Sequence, residues 1–144
     1  MEWEQDNYIV SDDDAILDVD AICDFLSQSY WANKRPRAVI ENSLQHSLNF
    51  GVYDQQNRQN QIGFARVVTD YSTFAYLCDV VIHEDYRGRA LGKWLMECIL
   101  SHPELQGLKR WCLLTKDAHG LYKQFGFREL DDPSRWMEII NSDL

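Results

Sequence analysis

The apolar positions of this chain change their period several times, and each change marks an element. Val19, Ile22, Cys23, Leu26 and Tyr30 recur at helical spacing, with Asp12–Asp14 or Asp18 placed to supply an acidic first turn. Pro36 suits the first position of a second helix, whose stripe is Ile40, Leu44 and Leu48. Between the two helices lies an aromatic and basic connector, Tyr30-Trp31-Ala32-Asn33-Lys34-Arg35. Two strands are predicted next, Phe50–Asp54 and Gln61–Thr69, joined as a hairpin through the polar surface turn Gln55–Gln61. Phe74–Ile82 is then almost continuously apolar, broken only by Asp79, as in a strand covered on both faces.

The turn Glu84–Ala90 leads into Leu91, Trp94, Leu95, Cys98 and Ile99, the spacing of an amphipathic helix that Pro103 and Gly107 end. Arg110–Thr115 reads as a short buried strand. Ala118, Leu121, Tyr122 and Phe125 form one more helical stripe, closed by Gly126. Phe127–Leu130 and Trp136–Ile140 are expected to finish the chain as strands, the last exposed and able to pair across a homodimer. The opening residues suggest at most one strand. This order predicts an α/β class, a mixed and mostly antiparallel sheet with flanking helices. Its β-α-β unit at 74–115 should be parallel.

Length and composition narrow the choice. A chain of 144 residues suits one domain with one core, spanning 1–144. With 45% apolar residues and five tryptophans, disorder is excluded. No apolar run approaches the roughly 18–20 residues of a membrane helix. Met1-Glu2-Trp3-Glu4 lacks the basic-then-apolar layout of an export signal, so a cytoplasmic location without membrane contact is expected. Cys23, Cys78, Cys98 and Cys112 are widely spaced within apolar stretches and read as free, buried thiols, with no metal site. The formal net charge of -9 opposes nucleic-acid binding. Charge is local at this scale, however, and Arg87, Arg89 and Lys93 stand together with no acid between them.

Arg87-Gly88-Arg89-Ala90-Leu91-Gly92 falls between a buried strand and a helix start. There the unpaired N–H groups of the first turn, the helix dipole and small residues suit a diphosphate. A P-loop is excluded because no Gly-Lys-Ser/Thr follows, and the Gly-x-Gly-x-x-Gly spacing of a dinucleotide fold is absent. Val80–Gly92 resembles the acetyl-CoA motif of the GNAT acetyltransferases, Q/R-x-x-G-x-G/A, with Arg87 at its head and Gly92 at its end. Ala90 stands where that motif has its middle glycine, which is compatible with close backbone approach if its φ is negative. Leu121-Tyr122-Lys123-Gln124-Phe125-Gly126-Phe127 resembles the family's second motif, L-Y-x-x-x-G-F. Thr115 and His119 depart from the family's usual asparagine and aliphatic, so contacts of those side chains are not carried over. The resemblance covers roughly Gly51 to Phe127.

The resemblance implies a GNAT fold and direct acetyl transfer from acetyl-CoA to an amine, with no acyl-enzyme. It assigns the co-substrate to Val80, Val81, Ile82, Arg87, Gly88, Arg89, Ala90, Leu91, Gly92 and Lys93. It makes Tyr122 the acid that protonates the leaving thiolate, a role open to a phenol with a pKa of about 10. An amide of Val81 or Ile82 is expected to hold the oxyanion, beside a splay between this strand and the next. Asp79, as the lone ionisable residue of a buried strand, is either the base that takes the amine's proton or a structural ion-pair partner, for instance of Arg66. His83 and Glu84 are weaker candidates for the base. Tyr30, Trp31 and Tyr71 either line an acceptor pocket for a small-molecule or peptide amine or simply cover the helices. The rival class is an acyl-CoA sensor that keeps the slot without catalysis.

Overall fold

The computed structural model describes residues 1–141, and for 57–59 the backbone alone. They divide into two compact units, residues 1–114 and the residues from Thr115 on.

The first unit is a six-stranded sheet in sequence order. Its strands are β1 (Glu2–Gln5), β2 (Tyr8–Ser11), β3 (Leu48–Asp54), β4 (Asn57–Thr69), β5 (Phe74–Ile82) and β6 (Arg110–Leu113). All pairings are antiparallel except β5 with β6, which is parallel, as a β-α-β unit requires. The helices of this unit are α1 (Val19–Ser27), α2 (Arg37–Gln45) and α3 (Leu91–Ser101). Asp18 caps α1 by accepting from the Ala21 amide at 3.1 Å, which stabilises a helix start by roughly 1 kcal/mol. One face of the sheet is covered by α1 and α2, whose Ile22, Leu26, Ile40 and Leu44 pack with Phe64 of β4. The other face lies against α3; there Phe50 of β3 meets His102, at the end of α3, with ring centroids 5.8 Å apart.

Several expectations need correction. The opening residues form a hairpin of two strands, turned at Asp6 with a φ of 54°, where a single strand at most was expected. Their alternation is too short and too polar to show as a pair. The polar run Gln55–Gln61 is not a turn throughout: the loop is Gln55-Gln56, and β4 already pairs at Asn57 opposite Asp54. A strand needs ladder partners more than apolar side chains, and the neighbouring backbone supplies them.

Strand β5 departs from simple alternation. Arg66 lies opposite Cys78 while Phe64 lies opposite Val81, so β5 carries one residue more than β4 between these pairs. Asp79 sits in this bulge with a φ of 56°, a left-handed conformation that Asp tolerates better than most residues. The register therefore inverts. Leu77 opposes Val67 on the α3 face, whereas Val81 opposes Phe64 on the α1–α2 face. Simple alternation would put Asp79 on one face with Ala75, Leu77 and Val81, and the extra residue makes that impossible.

The second unit contains α4 (His119–Lys123) and a 3₁₀ turn at Pro133–Arg135, capped by the Asp132 side chain. The strands expected at Phe127–Leu130 and Trp136–Ile140 do not form: among the described residues neither segment has a ladder partner. Apolar content alone does not make a strand, and Met137, Ile139 and Ile140 are exposed.

Candidate active site

The phosphate turn is built by two left-handed residues. After a 3₁₀ turn at Glu84–Tyr86, Gly88 has a φ of 80° and Ala90 a φ of 60°. The negative φ expected of Ala90 is thus not what the turn requires, and alanine holds a conformation that costs an L-residue about 1–2 kcal/mol. Helix α3 starts at Leu91, and its first internal bond runs from the Trp94 amide to the Ala90 carbonyl at 3.1 Å. Among the described residues, the amides of residues 88 to 93 have no acceptor. A Cβ added at Gly88 or Gly92 would meet nothing within 4 Å, so no neighbour within the protein demands glycine at Gly92. Glycine in a first helical turn with open space above it fits a group that approaches the backbone from outside.

Side chains complete the turn. The Arg87 Nε donates to the Ile82 carbonyl at 3.0 Å. The Arg89 guanidinium lies 5.1 Å from the Tyr86 ring centroid and donates to the Tyr8 hydroxyl at 2.7 Å. Tyr8 lies on β2 and offers no sequence signal for this contact; Tyr86 stands within the motif but looked like any turn residue. Lys93 is exposed on the first turn of α3.

Beside this turn the sheet opens. The β5–β6 ladder ends at Leu77 and Leu113, while β5 continues to Ile82 paired with β4 alone. The His83 amide donates to the Ile62 carbonyl of β4 at 2.7 Å. Alternation then turns the backbone groups of Ile82 and Val80 toward the unpaired edge, and those of Val81 toward β4. Of the two amides expected to face an oxyanion, Ile82 is the one on the open edge.

Asp79 is buried, with its side chain 1% exposed, and its two oxygens accept from three donors. Trp31 Nε1 binds one oxygen at 2.9 Å, and Arg35 NH1 and Arg66 Nε bind the other, each at 2.9 Å. Arg66 also donates to the Ser47 hydroxyl at 3.0 Å. Three donors take most of the roughly four acceptor sites of this carboxylate, which is almost wholly withdrawn from the surface. The arrangement matches the structural alternative, and it brings in Arg35, which the sequence marked only as part of a basic connector. His83 accepts from the Asp85 amide through Nδ1 at 3.1 Å, which leaves the proton of the neutral ring on Nε2.

The aromatic candidates separate. Trp31 reaches Asp79, and Tyr30 packs edge-on against Trp31 with centroids 5.0 Å apart. Tyr71, with a φ of 61°, lies in the turn before β5, and burial first and then the charges of Glu104, Asp14 and Asp12 raise its pKa. Tyr71 lies three residues before β5 and eight before Asp79, the residue that Trp31 reaches.

In the second unit, Tyr122 is buried on α4. The Phe127 amide donates to the Tyr122 carbonyl at 3.3 Å, and the Gly126 amide donates to that of Lys123 at 3.2 Å. These two bonds, with Gly126 at a φ of 92°, are a Schellman ending. The motif L-Y-x-x-x-G-F thus has a mechanical meaning, in which glycine reverses the chain and Phe127 folds back on Tyr122.

The four cysteines are unpaired, and burial pushes the Cys78 thiol up to about 11 and Cys98 up to about 12. Neither is poised as a nucleophile. Among the described residues no cluster of three or more His, Cys, Asp or Glu could hold a metal ion, and no helix is long and apolar enough to cross a membrane.

A turn of free amides stands beside a split mixed sheet, and comparison with known proteins gives this arrangement a family. The family model for the acetyltransferase (GNAT) domain matches residues 46–129. A Gibberella zeae protein provisionally named an acetyltransferase is 33% identical over 90% of this chain and 85% of its own. A crystal structure of a Xanthomonas campestris protein, assigned to the GNAT family, is 42% identical and superposes with a TM-score of 0.90 over 98% of both chains. A more distant structure from Clostridium acetobutylicum, solved with acetyl-CoA, shares the fold at 16% identity and a TM-score of 0.64, over 93% of this chain and 95% of that one. The chain belongs to the GNAT acetyltransferase family.

Proposed function

We propose that this protein transfers an acetyl group from acetyl-CoA to a primary amine by direct attack. The observation that carries the reading is the run of unengaged amides at residues 88 to 93, beside the open edge of β5. The Clostridium acetobutylicum structure, of the same fold and solved with acetyl-CoA, supports the choice of donor. When bound, acetyl-CoA supplies a thioester carbonyl open to attack and a thiolate that can leave.

The amides of residues 88 to 93 hold its diphosphate, and the dipole of α3 with Arg87, Arg89 and Lys93 adds positive charge. Val80 and Ile82 offer backbone groups along the open edge; an N–H there stabilises negative charge on the carbonyl oxygen as the amine adds. Tyr122, assigned on the motif, gives its proton to the departing sulfur, and the proton that the attacking amine loses passes to water, from which the phenol is restored. Asp79 positions rather than reacts: it fixes the connector Tyr30–Arg35 against the bulge. The acidic chain as a whole favours the approach of cationic amines.

The test is twofold. Calorimetry should detect acetyl-CoA binding, and a thiol-trapping assay should detect CoA release that depends on an added amine. Binding without turnover on a broad amine panel would favour the sensor class instead.

A further inference from the structure

The cluster around Asp79 holds more positive charge than its carboxylate neutralises. Arg35 NH1 and Arg66 Nε share one oxygen, so these nitrogens are no more than twice 2.9 Å apart. Two guanidinium groups at that separation repel, the more so because both are largely withdrawn from water: their side chains are 24% and 14% exposed. One carboxylate, 1% exposed, stands against them. Arg66 spends a second donor on Ser47. The Arg35 side chain makes one hydrogen bond among the described residues, through NH1, and its remaining guanidinium N–H groups have no acceptor among them.

The surrounding sequence sharpens the imbalance. In a chain of formal net charge -9, the stretch Tyr30 to Arg37 holds Lys34, Arg35 and Arg37 and no acid. Arg37 is neutralised by Asp20 and Glu41. Lys34 and Arg35 are left, and Trp31 and Tyr30 stand beside them as a partly exposed aromatic pair. The cluster is also close to the proposed reaction edge. Asp79 lies one residue before Val80 and three before Ile82, about 3–10 Å along the strand.

We infer that the acceptor is an amine that also carries a carboxylate, an amino-acid-like compound, and that Arg35 is the residue that selects it. This rests on the transfer reaction proposed above. The uncommitted N–H groups of Arg35 take the carboxylate in the paired geometry that guanidinium favours, and Asp79 and Trp31 hold Arg35 and its connector in place. The anion restores neutrality to a site where two cations share one counter-charge. The ammonium end of the same molecule then reaches toward the open edge of β5.

Initial rates at saturating acetyl-CoA test this with matched pairs, β-alanine against propylamine and glycine against methylamine. The expected result is a kcat/KM at least tenfold higher for the carboxylate-bearing member of each pair. Arg35→Met should erase that preference while leaving KM for acetyl-CoA unchanged, and Arg35→Lys should restore part of it. Equal rates on both members overturn the inference and leave acetyl transfer standing, and the wild-type comparison needs no variant to fold. A calorimetric titration in the presence of CoA separates the remaining cases, with N-acetyl-β-alanine set against N-propylacetamide. If no amine is acetylated but the charged amide alone binds, the carboxylate site stands and the transfer reading falls. If neither turnover nor binding depends on the carboxylate, the selection by Arg35 is refuted.

Discussion

Phe127 folds back on Tyr122: its amide donates to the Tyr122 carbonyl at 3.3 Å, and the two rings meet edge-on with centroids 5.9 Å apart. Gly126 makes this reversal with a φ of 92°, and a Cβ there would touch nothing within 4 Å. Gly126→Ala should therefore cost backbone strain alone, about 1–2 kcal/mol. Thermal unfolding should show a fall of several degrees, and an unchanged midpoint would contradict the Schellman assignment.

The role given to Tyr122 is chemical and separable from that fold. Tyr122→Phe keeps the ring against Phe127 and removes the proton donor. Turnover should drop by roughly 10²-fold or more while acetyl-CoA affinity holds, since acid catalysis contributes on that scale. Rates within a factor of about two of wild type would remove the phenol from the mechanism.

Ala90 carries the conformational burden of the phosphate turn. Ala90→Gly should relieve it and stabilise the protein by about 0.5–1 kcal/mol, less than the strain itself because glycine loses more backbone freedom on folding. Denaturant unfolding is the measurement, and a destabilised variant would show that the alanine methyl makes a contact of its own.

Gly92→Asp places an anion where a diphosphate is proposed to bind. With nothing within 4 Å of the new Cβ, the fold should tolerate it, and an acid in a first helical turn is even mildly favourable. Acetyl-CoA affinity should fall at least tenfold with the melting temperature held. Retained affinity would move the diphosphate elsewhere.

Asp12 links stability to pH. Burial of its carboxylate works to raise its pKa, but hydrogen bonds from His102 and the chain's amino group, with their charges, prevail and lower it. His102 Nδ1 accepts from the Glu104 amide, so Nε2 is the nitrogen that donates to Asp12, at 2.7 Å. A lowered folded pKa means a contribution that is complete above the unfolded value near 3.9 and lost as the pH falls through the folded one. Asp12→Asn should lower stability at pH 6, and the gap to wild type should close below about pH 4. A gap that stays constant across that range would show that the pair is not linked to protonation.

Much of the architecture was legible because it rests on local periodicity. The apolar stripes of α1, α2 and α3 and the run of β5 are visible without knowing what they pack against, although Tyr30 and Leu48, read as the last members of the first two stripes, lie beyond α1 and at the start of β3. The phosphate turn was legible for a related reason, since Gly88, Gly92 and the cations Arg87, Arg89 and Lys93 are contiguous. What stayed hidden depends on pairing between distant residues. The bulge at Asp79 exists only relative to β4, and Arg35 meets it across 44 positions. Tyr8 reaches Arg89 across 81. The strands expected after Gly126 failed in the opposite sense, because apolar residues were read as a ladder that no strand among the described residues provides.

The extra residue in β5 also makes one continuous strand behave as two segments in opposite phase. The segment ending at Cys78 is read in the frame of the α3 layer, and the segment beginning at Val80 in the frame of the α1–α2 layer. Removing a single residue between them would leave every side chain's identity intact while exchanging the faces of Val81 and Ile82. It would also turn the amides of Val80 and Ile82 from the open edge toward β4. The availability of that edge is therefore a property of residue count, and side-chain substitutions along β5 would leave it in place.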